Sequence, residues 1–139
     1  MPYKTFFIPK NKKKYIGNCD NIRCRSLWER RMCKYLDEND KITKWGFEIL
    51  KIPYISPTDN KIHNYIPDFV IETVNSDKKE ITIVEIKPMK QTINPSSRKR
   101  KNLKECMTYS INKAKWESAI SYCEKNNWTF KIITEKELF

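Results

Sequence analysis

The chain has 139 residues, of which 39% are hydrophobic and 12% aromatic, enough for one domain with a real core. Its 28 Lys and Arg outweigh 17 Asp and Glu, and the net charge of +11 favours polyanionic partners, nucleic acid first, although a coding bias toward Lys and Asn would raise it too. Two glycines, Gly17 and Gly46, are too few for a glycine-rich phosphate loop. No apolar run reaches bilayer length and no secretory core opens the chain, so a soluble intracellular protein with no membrane partner is expected.

Residues 1–25 read as a basic, irregular segment, with "KNKKKYIGN" lacking any period and Gly17–Asn18 marking a turn. Ser26 opens a helix, "SLWERRMCKYLDEND", in which Trp28, Met32, Tyr35 and Leu36 form one stripe and Asn39–Asp40 close it. Residues 42–55 read as a strand with Pro53 near its end, and "SPTDNK" as a turn. Residues 63–73 and 80–87 read as two more strands joined by a hairpin-like "NSDKK", with Pro88 ending the second. A loop over 88–100 leads to one helix near 101–109 and a second capped by Asn112, with Trp116, Ala119, Ile120 and Cys123 inward. "WTFKII" is a last strand, and "TEKE" is the capping box of a short terminal helix. The order predicts an α/β domain, a mixed central sheet flanked by helices.

Five cysteines (Cys19, Cys24, Cys33, Cys106, Cys123) and the lone His63 contain no C-x-x-C, so zinc is not expected and reduced, mostly buried thiols are. The informative residues are charges in strands that want burial. In "ITIVEIK", alternation puts Ile81, Ile83, Glu85 and Lys87 on one face. Hairpin pairing would bring Asp68, preceded by the kinking Pro67, beside Glu85. Two adjacent carboxylates repel unless a proton or cation lies between them, and a hard divalent ion, Mg²⁺ above all with Mn²⁺ as substitute, suits oxygen ligands. Lys87 would then orient the nucleophile and offset charge developing on a phosphate.

Pro67-Asp68 followed by Glu85-Ile86-Lys87 resembles the PD-(D/E)XK nuclease superfamily. The longer order "SLWERR … ITKWGFEILKIPY … YIPDF … IVEIKP", with the basic start and the "KAKWESAISYCEKNNWTFKIITEKEL" end, resembles the head completion nuclease family of contractile-tailed bacteriophages. The middle and C-terminal blocks also resemble the DNA-cutting subunit of some transposases. The resemblance implies a single-domain restriction-endonuclease-like fold and a Mg²⁺-dependent DNA endonuclease leaving 5′-phosphate and 3′-hydroxyl ends. It further implies action in head completion and DNA packaging, beside head or portal proteins, in the host cytoplasm or on the virion. It aligns Asp68, Glu85 and Lys87 with the family's catalytic positions, and Glu29 with a helix glutamate that completes the metal site with Asp68 and Glu85. Ser26-x-x-Glu29 is equally a capping box, so both readings of Glu29 stand. Glu48 matches a recurrent acidic position and reads best as a strand carboxylate paired with Lys or Arg. His63 reads as structural.

Basic residues near these positions are the expected DNA contacts: Lys12, Lys13 and Lys14; Arg25 and Arg30 beside the Glu29 helix; and Arg98, Lys99, Arg100 and Lys101 after the "EIKP" strand. The alternatives are a transposon-end, homing or repair nuclease of the same fold, or a non-catalytic basic protein that caps packaged DNA.

Overall fold

A computed structural model describes residues 5–95 and 102–138. Its centre is a four-stranded mixed sheet in the order β3-β6-β7-β8. The strands are β3 (Ile42–Phe47), β6 (Phe69–Asn75), β7 (Lys78–Ile86) and β8 (Thr129–Ile133). The first three are antiparallel neighbours and β8 joins β7 in parallel. Ser76 and Asp77, both at positive φ, form the two-residue turn between β6 and β7.

Helix α1 (Leu27–Glu38) covers one face, where Met32, Cys33 and Leu36 pack on Trp45, Phe69, Val84 and Ile86. Trp45 is fully buried, with the rings of Phe7, Tyr15 and Phe69 around it. Tyr35, expected inward, is 56% exposed: it lies off the narrower Met32–Cys33–Leu36 stripe. Helix α2 (Leu103–Asn126) covers the other face through Trp116, Ala119 and Cys123, while Ile120 is largely exposed. The break expected near Asn112 is absent. Asn102 caps α2 by accepting from the N–H groups of Lys104 and Glu105, and Asn112 is buried inside one continuous helix. Helix α3 (Glu135–Leu138) begins with the expected box, the Glu137 carboxylate accepting from the Thr134 N–H at 2.7 Å.

The segment expected to be irregular carries a short ribbon, β1 (Thr5–Phe6) with β2 (Arg23–Cys24), and places Phe7, Ile22 and Cys24 in the core. Two predicted strands are each broken in two. Residues 42–55 give β3 and then β4 (Ile52–Ile55); residues 63–73 give β5 (Ile62–Tyr65) and then β6. Strands β4 and β5 pair as a separate antiparallel arm packed on α2. Among the described residues no helix is long and apolar enough to cross a membrane.

Candidate active site

Both breaks occur at the same end of the sheet, and the charged residues collect there. Four residues (48–51) link β3 to β4, whereas three (66–68) link β5 to β6, so the outgoing link is one residue longer than the returning one. Glu48 absorbs the bend in the left-handed region, at φ 53°, a conformation costly for a residue with a Cβ. Its N–H donates to the Asp68 carbonyl at 2.9 Å, tying the two breaks together. Pro67 is buried and has no N–H to lose at the bend.

The β6–β7 ladder pairs Phe69 with Val84, and one step further its register sets Asp68 opposite Glu85. The Ile86 N–H donates to Asp68 Oδ2 at 2.8 Å. Glu85 is only 6% exposed and alternates with Ile83 on the face that α2 covers. Lys87 follows on the same side, its N–H bonded to the Ile133 carbonyl at 3.0 Å. Burial, then the neighbouring Glu85, pushes the Asp68 carboxyl up to about 8, against the Ile86 N–H and the Lys87 charge.

Glu29 approaches from the start of α1. Its N–H donates to Ser26 Oγ at 3.1 Å, and its own Oε1 accepts from the Arg25 N–H at 2.6 Å, closing the cap one residue upstream of the usual box partner. The same carboxyl lies in the field of Asp68 and Glu48. Burial first, and those two charges after it, raise its pKa, while the Arg25 N–H and guanidinium oppose the shift. Glu48 is paired with a basic residue as expected: Arg25 Nη1 donates to both its carboxylate oxygens, at 2.8 and 2.7 Å. Among the described residues no three ligand-type side chains converge into a closed metal cage. Asp68 and Glu85 stand together, and Glu29 faces Asp68 from α1.

The basic candidates divide. Lys12 and Lys13 are exposed on a short 3-10 turn. The Lys14 ammonium instead donates to the carbonyls of Leu36, Asp37 and Asn39, each at 2.9 Å, and so neutralises the negative end of α1. Arg25 is held by Glu48, and Arg30 reaches the Phe6 carbonyl at 3.4 Å and lies over the Phe7 ring. Arg98, Lys99, Arg100 and Lys101 lie outside the described residues. His63, on the arm, bonds to Asp59 at 2.8 Å. One residue escaped the sequence reading. Tyr65 is 3% exposed, and its hydroxyl has no hydrogen-bond partner among the described residues.

Residues 39–135 match the family model of the TnsA-like endonuclease N-terminal domain. The chain belongs to the TnsA-like endonuclease family. It is also 35% identical, over 145 aligned positions, to the head completion nuclease of Enterobacteria phage T4, covering 99% of this chain and 95% of that protein. The PD-(D/E)XK resemblance and the mixed α/β architecture are borne out. In this TnsA-like nuclease, Asp68, Glu85 and Lys87 fall inside the matched span. Glu29, Arg25 and the Lys12–Lys14 turn precede it, within the length shared with the phage nuclease.

Proposed function

We propose that this nuclease hydrolyses DNA phosphodiesters with a divalent ion held by Asp68 and Glu85. The observation that carries the reading is the Asp68–Glu85 pair, set across from each other by the β6–β7 register with Lys87 on the same edge. Two half-to-fully buried carboxylates with a strongly raised Asp68 are the donor set expected to welcome a hard cation, so the residues fit Mg²⁺, and Mn²⁺ in its place. Such an ion supplies charge neutralisation to the phosphate and acidity to water.

The chain's own groups do the rest. Lys87 brings a positive charge to the phosphate and orients the attacking water. Glu29 adds a third carboxylate from α1, keeping its cap through Arg25. Arg25 takes a phosphate oxygen in exchange for Glu48, and Lys12, Lys13, Arg30 and the 98–101 run contribute further contacts to the DNA backbone. The match over nearly both whole chains favours head completion, with head or portal proteins as neighbours, over a transposon-end or repair role. Supercoiled plasmid incubated with the protein in Mg²⁺, in Mn²⁺ and in EDTA tests the reading. Nicks or linear product with either metal and none with EDTA are expected. An intact plasmid under all three conditions would favour the non-catalytic DNA-capping alternative.

A further inference from the structure

We infer that Tyr65 is a positioning residue of this site: its hydroxyl donates to the Glu85 carboxylate and fixes it for a divalent ion. The inference rests on the metal reading above. Three observations lead to it. First, the Tyr65 hydroxyl is buried and unpartnered among the described residues, and a buried donor left unmade is costly enough that native proteins seldom keep one without a use. Second, the carboxylates that face this hydroxyl are those of Glu85 and then Asp68, the pair assigned to the ion. Glu85 is the neighbour that acts most strongly on this hydroxyl without bonding to it in this structure, and that bond is the one we assign. Third, the ring is fixed. Tyr65 pairs with Ile52 at the base of the arm and packs with Trp116 and Ala119 of α2. The Lys115 ammonium sits 5.8 Å from its ring centroid. A cation over the ring draws density from the phenol and makes its O–H a better donor.

A phenol O–H beside a carboxylate donates, and the carboxylate oxygen accepts. The remaining lone pairs of Glu85 are where a metal ligand needs an orienting partner, because such partners fix the ligand's rotamer and its basicity. Asp68 already has one in the Ile86 N–H. Tyr65 supplies the equivalent for Glu85.

The test is Mn²⁺ binding to the full chain by isothermal titration calorimetry, for wild type, Tyr65→Phe and Glu85→Gln. Tyr65→Phe keeps the ring and removes only the unpartnered oxygen. Its melting temperature without metal is expected to hold or rise, which also checks that it folds. Its Mn²⁺ affinity is expected to fall about tenfold or more, the usual scale for losing a group that orients a metal ligand. With plasmid as substrate, kcat should fall while KM for DNA stays put. An affinity within twofold of wild type, with Glu85→Gln still abolishing binding, would overturn the role of Tyr65 and leave the metal site standing. No Mn²⁺ binding by the wild-type protein would remove the metal site and this inference together.

Discussion

Strands β6 and β7 have two faces, and they differ in kind. Toward α1 they present Phe69, Ile71, Val84 and Ile86, a continuous apolar layer. Toward α2 the layer starts as Val70 and Ile83 and then turns to Asp68, Glu85 and Lys87 at the end where the arm departs. Neighbours in sequence thus do opposite things. One face holds the fold together, and the other stores electrostatic repulsion that only a proton or a cation relieves.

Substituting the neighbours Phe69 and Asp68 separates the two faces most sharply. Phe69 is fully buried, its ring centroid 5.1 Å from Phe47's, and Phe69→Ala should cost about 3–5 kcal/mol in urea unfolding. Asp68→Ala should leave metal-free stability unchanged or higher, because the repulsion goes with it, and reduce plasmid cleavage by roughly a thousandfold or more. Cleavage by Asp68→Ala near the wild-type rate would move the site elsewhere.

Glu29 belongs to both kinds of surface, since it caps α1 and faces Asp68. Glu29→Gln keeps an oxygen that can accept from the Arg25 N–H, so unfolding should change by less than about 1 kcal/mol. Loss of the charge should slow Mg²⁺-dependent cleavage by roughly a hundredfold. Full activity in that variant would return Glu29 to capping alone.

The stored repulsion also has a pH signature. Folding raises the Asp68 carboxyl from 3.8 to about 8, so over that range the native state keeps a proton that the unfolded chain has released. This group's contribution is therefore complete below about pH 4 and is lost as the pH climbs toward 8, at up to about 1.4 kcal/mol per pH unit. Denaturation of the metal-free protein between pH 5 and 8 should show that decline, and Asp68→Asn should flatten it. Glu29, raised mainly by burial, adds a decline of the same sign that Asp68→Asn leaves in place.

The smallest effects separate Lys14 from its neighbours. Lys14→Met should destabilise the fold by about 1 kcal/mol through the exposed end of α1, with little change in the salt dependence of DNA binding. Neutralising Lys12 and Lys13 should do the reverse, lowering the slope of log affinity against log salt by about 0.9 for each phosphate that is no longer neutralised.

Asp68 beside Glu85 was legible because a strand alternates with period two and the turn at Ser76–Asp77 is short, so register follows from spacing. Pro67 marked the bend in the incoming strand. Glu48 gave no such warning: a left-handed glutamate has no propensity signature, and the apolar run on either side reads straight through it. Asn112 misled for a related reason. Its propensity favours a cap, but the packing of α2 on the sheet runs the helix through it and buries it. Lys14 looks like any other lysine in its run until the distant end of α1 is brought to it. Tyr65 carried the weakest signal, an aromatic among many apolar strand residues, because its significance lies in which groups face it.

The unequal links between sheet and arm, four residues out and three back, act like a frameshift on the returning strand. In the sheet, odd-numbered Trp45, Phe47, Phe69 and Ile71 face α1. Beyond the bend, even-numbered Ile52 and Tyr54 and odd-numbered Tyr65 all face α2. The paired positions sum to 116 from Lys44–Glu72 to Phe47–Phe69, and to 117 from Ile52–Tyr65 onward. Three residues apart on an unbroken strand, Tyr65 and Asp68 would point to opposite sides. The change of phase is what lets both address Glu85. Residues 48–51 should therefore tolerate exchanges of side chain far better than changes in length. Deleting one of them would realign the arm against its partner by one place, and insertions at its Pro57–Asn60 tip would leave that phase untouched.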